Sequence, residues 1–146
     1  REVKTPVHVV DWMPTLARIV GGEAPPSTDG CDLTPLLYGL AAPDGLRTRD
    51  LYWVWSSSSN RRALRWGDWK IVRYGKGPVT GPEDWQLFNL VRDPEETTDC
   101  GAAEPERRAE LHRRYLEQRA KDRGPLRAGE GRAGEGGALP GRDGRL

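Results

Sequence analysis

The residues able to do chemistry in this chain are few and stand apart. Its histidines are His8 and His112, its cysteines Cys31 and Cys100. A nucleophile needs a base within hydrogen-bond reach and a third group to orient that base. The serine run Ser56 to Ser59 has no base near it in sequence. His8 sits between valines, which reads as structural, and His112 falls in a charged helical stretch, which reads as solvated. Neither cysteine has metal-ligand spacing, and the pair is open to one disulfide or two free thiols. Asp29, Asp32 and Asp44 lie in loop-like sequence, where capping and turn formation account for them. Gly75-Lys76-Gly77-Pro78 lacks the strand-to-helix setting of a phosphate loop. The residues therefore supply neither a catalytic nor a metal site. The tryptophans between Trp53 and Trp85 would also serve a carbohydrate-stacking surface, although core packing is the commoner use of such rings.

The elements that would position these groups are legible. Asp11 reads as the N-cap of a helix over residues 12–20, buried through Leu16, Ile19 and Val20 and stopped by Gly21-Gly22. Thr34-Pro35-Leu36-Leu37-Tyr38-Gly39 reads as a one-turn helix with Pro at its start and Gly at its end. Strands are expected over 51–55, 62–66, 69–74 and 85–90, with a type II′ hairpin turn at Gly67-Asp68. Trp69 and Ile71 should face one side of the sheet, Lys70, Val72 and Tyr74 the other. Glu104-Pro105 opens a helix to about Asp122, whose inner face carries Leu111 and Tyr115. The fold class is α+β: a small antiparallel sheet of three to four strands packed with a C-terminal helix.

Basic and acidic residues number 23 and 22, a net charge of +1, so the charge balance does not point to nucleic acid. No stretch approaches the ~20 apolar residues of a membrane span. The last 24 or so residues, 123–146, are rich in Arg, Gly, Glu and Ala; such low complexity predicts a disordered tail, and it lacks aromatics to stack on bases.

Several phrases, in order, resemble the C-terminal portion of the sulfatase family, within the alkaline-phosphatase-like superfamily. Asp11-Trp12-Met13-Pro14-Thr15-Leu16 followed by Gly21 is similar to its Asp-x-x-Pro-Thr helix. Asp29-Gly30, Leu33 and Pro35-Leu36-Leu37 match the next phrase. Leu51-Tyr52-Trp53, Asn60-Arg61, Ala63-Leu64-Arg65 and Gly67-Asp68-Trp69-Lys70 follow. Leu87-Phe88-Asn89-Leu90 and Asp93-Pro94 to Glu96 close a resemblance that covers roughly residues 5–120. There are departures. Asp99 and Cys100 stand where the family often has Asn-Leu. Val54-Trp55 and the serines stand where many arylsulfatase-like members carry Glu-His and then Gly-Asn-Arg.

The resemblance implies a parent enzyme that hydrolyses sulfate esters with calcium and a formylglycine made from Cys or Ser in a Cys/Ser-x-Pro/Ala-x-Arg motif. Cys31 precedes Asp-Leu-Thr-Pro and Cys100 precedes Gly-Ala-Ala-Glu, so neither fits. The family's calcium ligands and its sulfate-binding Lys and His belong to segments earlier than Asp11. No catalytic residue or metal ligand is therefore assigned here, and the chain alone is expected to be inactive. Residues 1–22 would end the α/β catalytic domain, 23–49 would be connecting loops with a short helix, and 50–122 would form the sheet-and-helix subdomain. The substrate-cleft candidates are Trp55, Asn60, Arg61 and Arg65, while Lys70 is expected to be structural on its hairpin. The partner is a small-molecule or glycan sulfate ester, met through the parent enzyme. The alternatives are a phosphonate or phosphate monoester hydrolase of the same superfamily, and a non-enzymatic glycan-binding module.

Overall fold

The computed structural model describes residues 2–55, 61–75, 77 and 79–122. The expected loop at Ser56 to Ser59, the candidate Asn60 and the expected tail at 123–146 lie outside the described residues. The alternating segments form strands β1 (Asp50–Val54), β2 (Arg62–Trp66), β3 (Trp69–Arg73) and β4 (Gln86–Asn89). They make one antiparallel sheet in the order β1-β2-β3-β4. At the β2–β3 turn Gly67 adopts a φ of 58° while Asp68 keeps a negative φ, the combination of a type II′ hairpin. That turn sets Trp66 opposite Trp69, and with it the whole register.

The register builds the core. Tyr52 lies opposite Leu64, Leu64 opposite Ile71, and Ile71 opposite Leu87, one apolar row across the sheet. Helix α3 (Pro105–Arg119) begins with Pro at its first position, where no amide bond is lost. It lowers Leu111 and Tyr115 onto that row, and both are fully buried with Leu64, Ile71, Leu87 and Trp85. Each such side chain contributes about 1.5–3 kcal/mol. The Trp85 and Tyr115 rings meet at 4.5 Å. Trp85 itself precedes β4 and leaves a 3-10 turn at Pro82–Asp84. Arg114 of α3 lies 4.0 Å above the Trp66 ring and reaches Asp50 at 3.3 Å, clamping the helix to the hairpin end. The outer edge of β4 is covered: the Cys100 amide donates to the Leu87 carbonyl at 2.9 Å, and Asp99 accepts the Leu87 amide at 2.9 Å.

His112 departs from expectation. It is half-buried against Trp85, centroids 5.9 Å apart, not solvated. Burial lowers its pKa from the usual 6.5, against the opposing pull of Glu83 and Asp84.

The N-terminal part is organised differently. Helix α1 (Trp12–Ile19) and the short α2 (Thr34–Leu37) form as expected. A second small cluster joins Leu33, Leu36 and Leu46. The expected burial of α1 through Leu16, Ile19 and Val20 does not hold: they are 54%, 49% and 82% exposed. The buried side of α1 is the polar one, with Asp11, Pro14 and Thr15. A stripe of apolar residues marks a face that favours burial, and among the described residues nothing covers it. No helix of the described residues is long and apolar enough to cross a membrane.

Candidate functional site

On the sheet face opposite α3, the strand register stacks side chains in rows. Trp53, Ala63 and Val72 form one row across β1, β2 and β3. The next row extends the pairing past the strand ends, where the Trp55 amide donates to the Arg61 carbonyl at 2.9 Å. There the Arg61 guanidinium sits 5.6 Å from the Tyr74 ring centroid. Ala63 is the small residue in this array, so a groove of about 300 Å³ opens between Trp53, Trp55, Arg61, Val72 and Tyr74. Trp55 is 70% exposed and Tyr74 58%. Arg62 and Lys70 also line the groove. Lys70 is paired with Glu96 at 2.5 Å. Among the described residues no carboxylate pairs with Arg61 or Arg62.

The candidates from sequence thus part company. Trp55 and Arg61 meet at the groove rim. Arg65 lies on the same face, one row further along, and donates from Nε to the Gly67 carbonyl at 2.9 Å. Asn60 lies outside the described residues. Lys70 is held in its ion pair on the hairpin. Ala63 and Tyr74 were missed as neighbours of Trp53 and Trp55, because they lie far apart in the chain and only the register assembles them.

A second polar assembly lies under α1. Asp11 was expected to cap the helix, but its carboxylate makes no cap bond to α1. It is fully buried, and accepts the amides of His8 at 2.7 Å and Cys31 at 3.0 Å. Arg49 grips both its oxygens, at 2.6 and 2.5 Å. Burial opposes ionisation here, but the Arg49 hydrogen bonds and the two amides outweigh it and hold the pKa at about 2. Thr15 extends the same clip: its hydroxyl donates to the Asp11 carbonyl at 2.6 Å and accepts the Leu33 amide at 2.9 Å. Gly30 approaches so closely that a Cβ there would lie 2.1 Å from the Val10 carbonyl oxygen. The residues of the Asp11 and Asp29-Gly30 phrases are therefore fasteners, tying α1 to the loop before α2. Arg49 was invisible as a partner, since 38 residues separate it from Asp11.

A cleft of about 810 Å³ lies between this assembly and the open side of β1, lined by His8, Asp29, Arg49, Tyr52, Gln118 and Lys121 among others. Its polar groups largely satisfy one another: Arg49 holds Asp11, Gln118 holds Asp50 at 2.8 Å, and Tyr52 donates to Asp122 at 2.8 Å. The groove on the outer sheet face keeps Arg61 without a carboxylate partner among the described residues and is the better ligand site. Among the described residues no group of three or more His, Cys, Asp or Glu is arranged to hold a metal ion. Both cysteines are free thiols. Cys31 accepts from Arg49 at 3.5 Å, and Cys100 donates to the Leu87 carbonyl at 3.1 Å.

No family model matches the chain. It is 32% identical over 112 residues to arylsulfatase K of Rattus norvegicus and 30% identical over 122 residues to that of Xenopus laevis. These stretches take in 72% and 78% of this chain but 19% and 22% of the relatives, so the chain spans about a fifth of their length. Among solved structures it is similar to a protein in complex with its substrate D-glucosamine-2-N,6-O-disulfate, with a TM-score of 0.59 and 20% identity over 75% of this chain and 23% of that one. It is also similar to a phosphonate monoester hydrolase of Agrobacterium radiobacter, with a TM-score of 0.58 and 24% identity over 82% of this chain and 26% of that one. At such identities the structural likeness speaks for the fold. By sequence kinship set on that fold, the chain is a segment of sulfatase kind, about a fifth as long as the arylsulfatases it resembles.

Proposed function

We propose that this chain is the C-terminal part of an enzyme that hydrolyses sulfate esters, whether on a small molecule or a glycan. The observation that carries the reading is the arylsulfatase match over 72–78% of the chain. In this reading residues 1–22 end the catalytic α/β domain, and the outward apolar face of α1 supports it. Leu16, Ile19 and Val20 are the surface such a domain would cover. Residues 23–49 connect, with Asp11 and Arg49 fastening the junction. Residues 50–122 form a wall of the substrate cleft, for which Trp55, Asn60, Arg61 and Arg65 are the candidates that the sequence offers. A wall of this kind excludes water and so strengthens charge interactions at the reacting centre.

Calcium and formylglycine, general features of the family, do not fit the residues of this chain. The described residues hold no cluster of metal ligands, and neither Cys31 nor Cys100 stands in the required motif. No catalytic step is therefore assigned to this chain, which alone is expected to be inactive. The test has two parts. The coding sequence upstream should carry an in-frame Cys/Ser-x-Pro/Ala-x-Arg motif. The parent protein should hydrolyse an aryl sulfate and the isolated 146-residue chain should not. Turnover by the isolated chain would sink the reading. The likeness to the phosphonate monoester hydrolase favours one rival, phosphoester chemistry, which a comparison of sulfate and phosphonate esters on the parent decides.

A further inference from the structure

Where α3 packs on the 3-10 turn at Pro82–Asp84, an ionisable ring lies between an apolar wall and two carboxylates. His112 is half-buried, 5.9 Å from the Trp85 ring and nearly parallel to the Tyr115 ring at 6.4 Å. Its Nε2 is buried and has no hydrogen-bond partner among the described residues. A neutral imidazole is tolerated in such a slot, but an imidazolium there holds a charged donor out of water with nothing to accept from it. The charged groups around the ring come from three elements. The turn brings Glu83 and Asp84, both exposed. The end of β3 brings Arg73, which acts on Asp84. α3 itself brings Arg108, one turn before His112, whose side chain lies against Gly101. The two carboxylates differ in their freedom. Asp84 is committed to the turn, where it accepts the Thr80 amide at 2.7 Å, the Thr80 hydroxyl at 3.0 Å and the Gly81 amide at 3.4 Å. Glu83 makes no hydrogen bond or ion pair among the described residues. Its carboxylate is folded over Gly81, where a Cβ would lie 2.2 Å from Oε1, so only glycine leaves it that resting place.

We propose that His112 and Glu83 form a proton-operated latch between α3 and the connection from β3 to β4. Near neutral pH the ring is uncharged and Glu83 rests over Gly81. As pH falls, His112 takes a proton from solvent, and Glu83 leaves Gly81 to accept from Nε2, drawing the turn onto the helix. Carboxylates ordinarily titrate about two pH units below imidazole, so there is a window in which an imidazolium can meet a carboxylate anion. The turn runs directly into Trp85, which is buried in the core, and a close-packed core transmits such a shift. The latch uses only groups of this chain and is independent of the sulfatase reading.

The test is an NMR titration of the full 146-residue chain from about pH 7.5 to about pH 4.5. The amide signals of residues 80–85 should move with the His112 ring signals, at one shared midpoint. Glu83→Gln changes an exposed side chain and should keep the neutral-pH spectrum. It should lower the ring's midpoint by roughly half a pH unit and leave the turn's amides no longer following the ring. Gly81→Ala evicts the carboxylate from its resting place and should raise the midpoint. An unchanged midpoint in Glu83→Gln would overturn the latch. So would turn amides that stay still while His112 titrates in the unaltered chain, since that leaves only attraction at a distance. If the isolated chain gives no dispersed amide signals, hydrogen exchange of the parent protein at the two ends of the same pH range decides. Residues 80–85 should gain protection at the acid end, and Glu83→Gln should abolish the gain; protection indifferent to that substitution would sink the proposal.

Discussion

The two halves of this chain are held together by different forces. The sheet and α3 close an apolar core on themselves, with Leu64, Ile71, Leu87 and Leu111 wholly out of water. The segment before Asp50 buries only a small apolar cluster, Leu33, Leu36 and Leu46, turns the stripe of α1 outward, and is fastened by polar contacts centred on Asp11. An apolar core is cooperative, because each side chain is buried by several others. A polar clip depends on single groups, and removal of one leaves its partners unsatisfied in a dry place. The sheet-helix unit closes its own apolar core, while the N-terminal segment leaves the apolar stripe of α1 uncovered among the described residues.

The largest test of that contrast is Trp85→Ala. It should cost the sheet-helix unit about 3–5 kcal/mol and lower the urea midpoint of the whole sheet, read by circular dichroism. Next comes Asp11→Ala, which strands Arg49 and the amides of His8 and Cys31. A loss of about 3 kcal/mol is expected, confined to the clip. Hydrogen exchange should quicken over residues 8–33 and leave the amides of β2 and β3 unchanged; equal acceleration in the sheet would erase the distinction between the halves. Gly30→Ala should open the same joint by about 1–3 kcal/mol, because the contact at 2.1 Å is with backbone that cannot rotate away.

Acid should separate the halves by pH. The pKa of His112 is lowered in the fold, so the neutral ring is favoured there and the unfolded chain takes up the proton first. The sheet-helix unit therefore loses this contribution as pH falls below 6.5. Asp11 is depressed from 3.8 to about 2, so its contribution is present above 3.8 and lost as pH falls through about 2. Hydrogen exchange against pH should show the sheet-helix unit weakening first and the clip only in the more acid window. The smallest effect is expected of Lys70→Ala: its pair with Glu96 is partly exposed, and its loss should lower the unfolding free energy, read by urea denaturation, by less than about 1 kcal/mol.

Much of the sheet was legible because its signals are local. Alternation over Trp69 to Arg73 and the Gly67-Asp68 turn specify a strand, its faces and its register within a few residues. Leu111 and Tyr115 at helical spacing announced the face of α3 that packs down. Kinship was legible too, since short phrases such as Gly67-Asp68-Trp69-Lys70 are fixed by turn chemistry. The tryptophans were harder. Trp85 is core, while Trp66 lies beneath Arg114. Trp53 and Trp55 line an open groove. Composition favoured packing for all of them, and only the resemblance singled out Trp55 as a cleft candidate.

By itself the sequence determined the elements, their order, the hairpin register and the family, each written in neighbouring residues. Tertiary structure alone decided that Asp11 belongs to Arg49, that α1 shows its apolar face outward, and that Trp55, Arg61, Ala63 and Tyr74 share one groove. Those facts depend on residues far apart in the chain and adjacent in space, and no local pattern encodes a distance across strands.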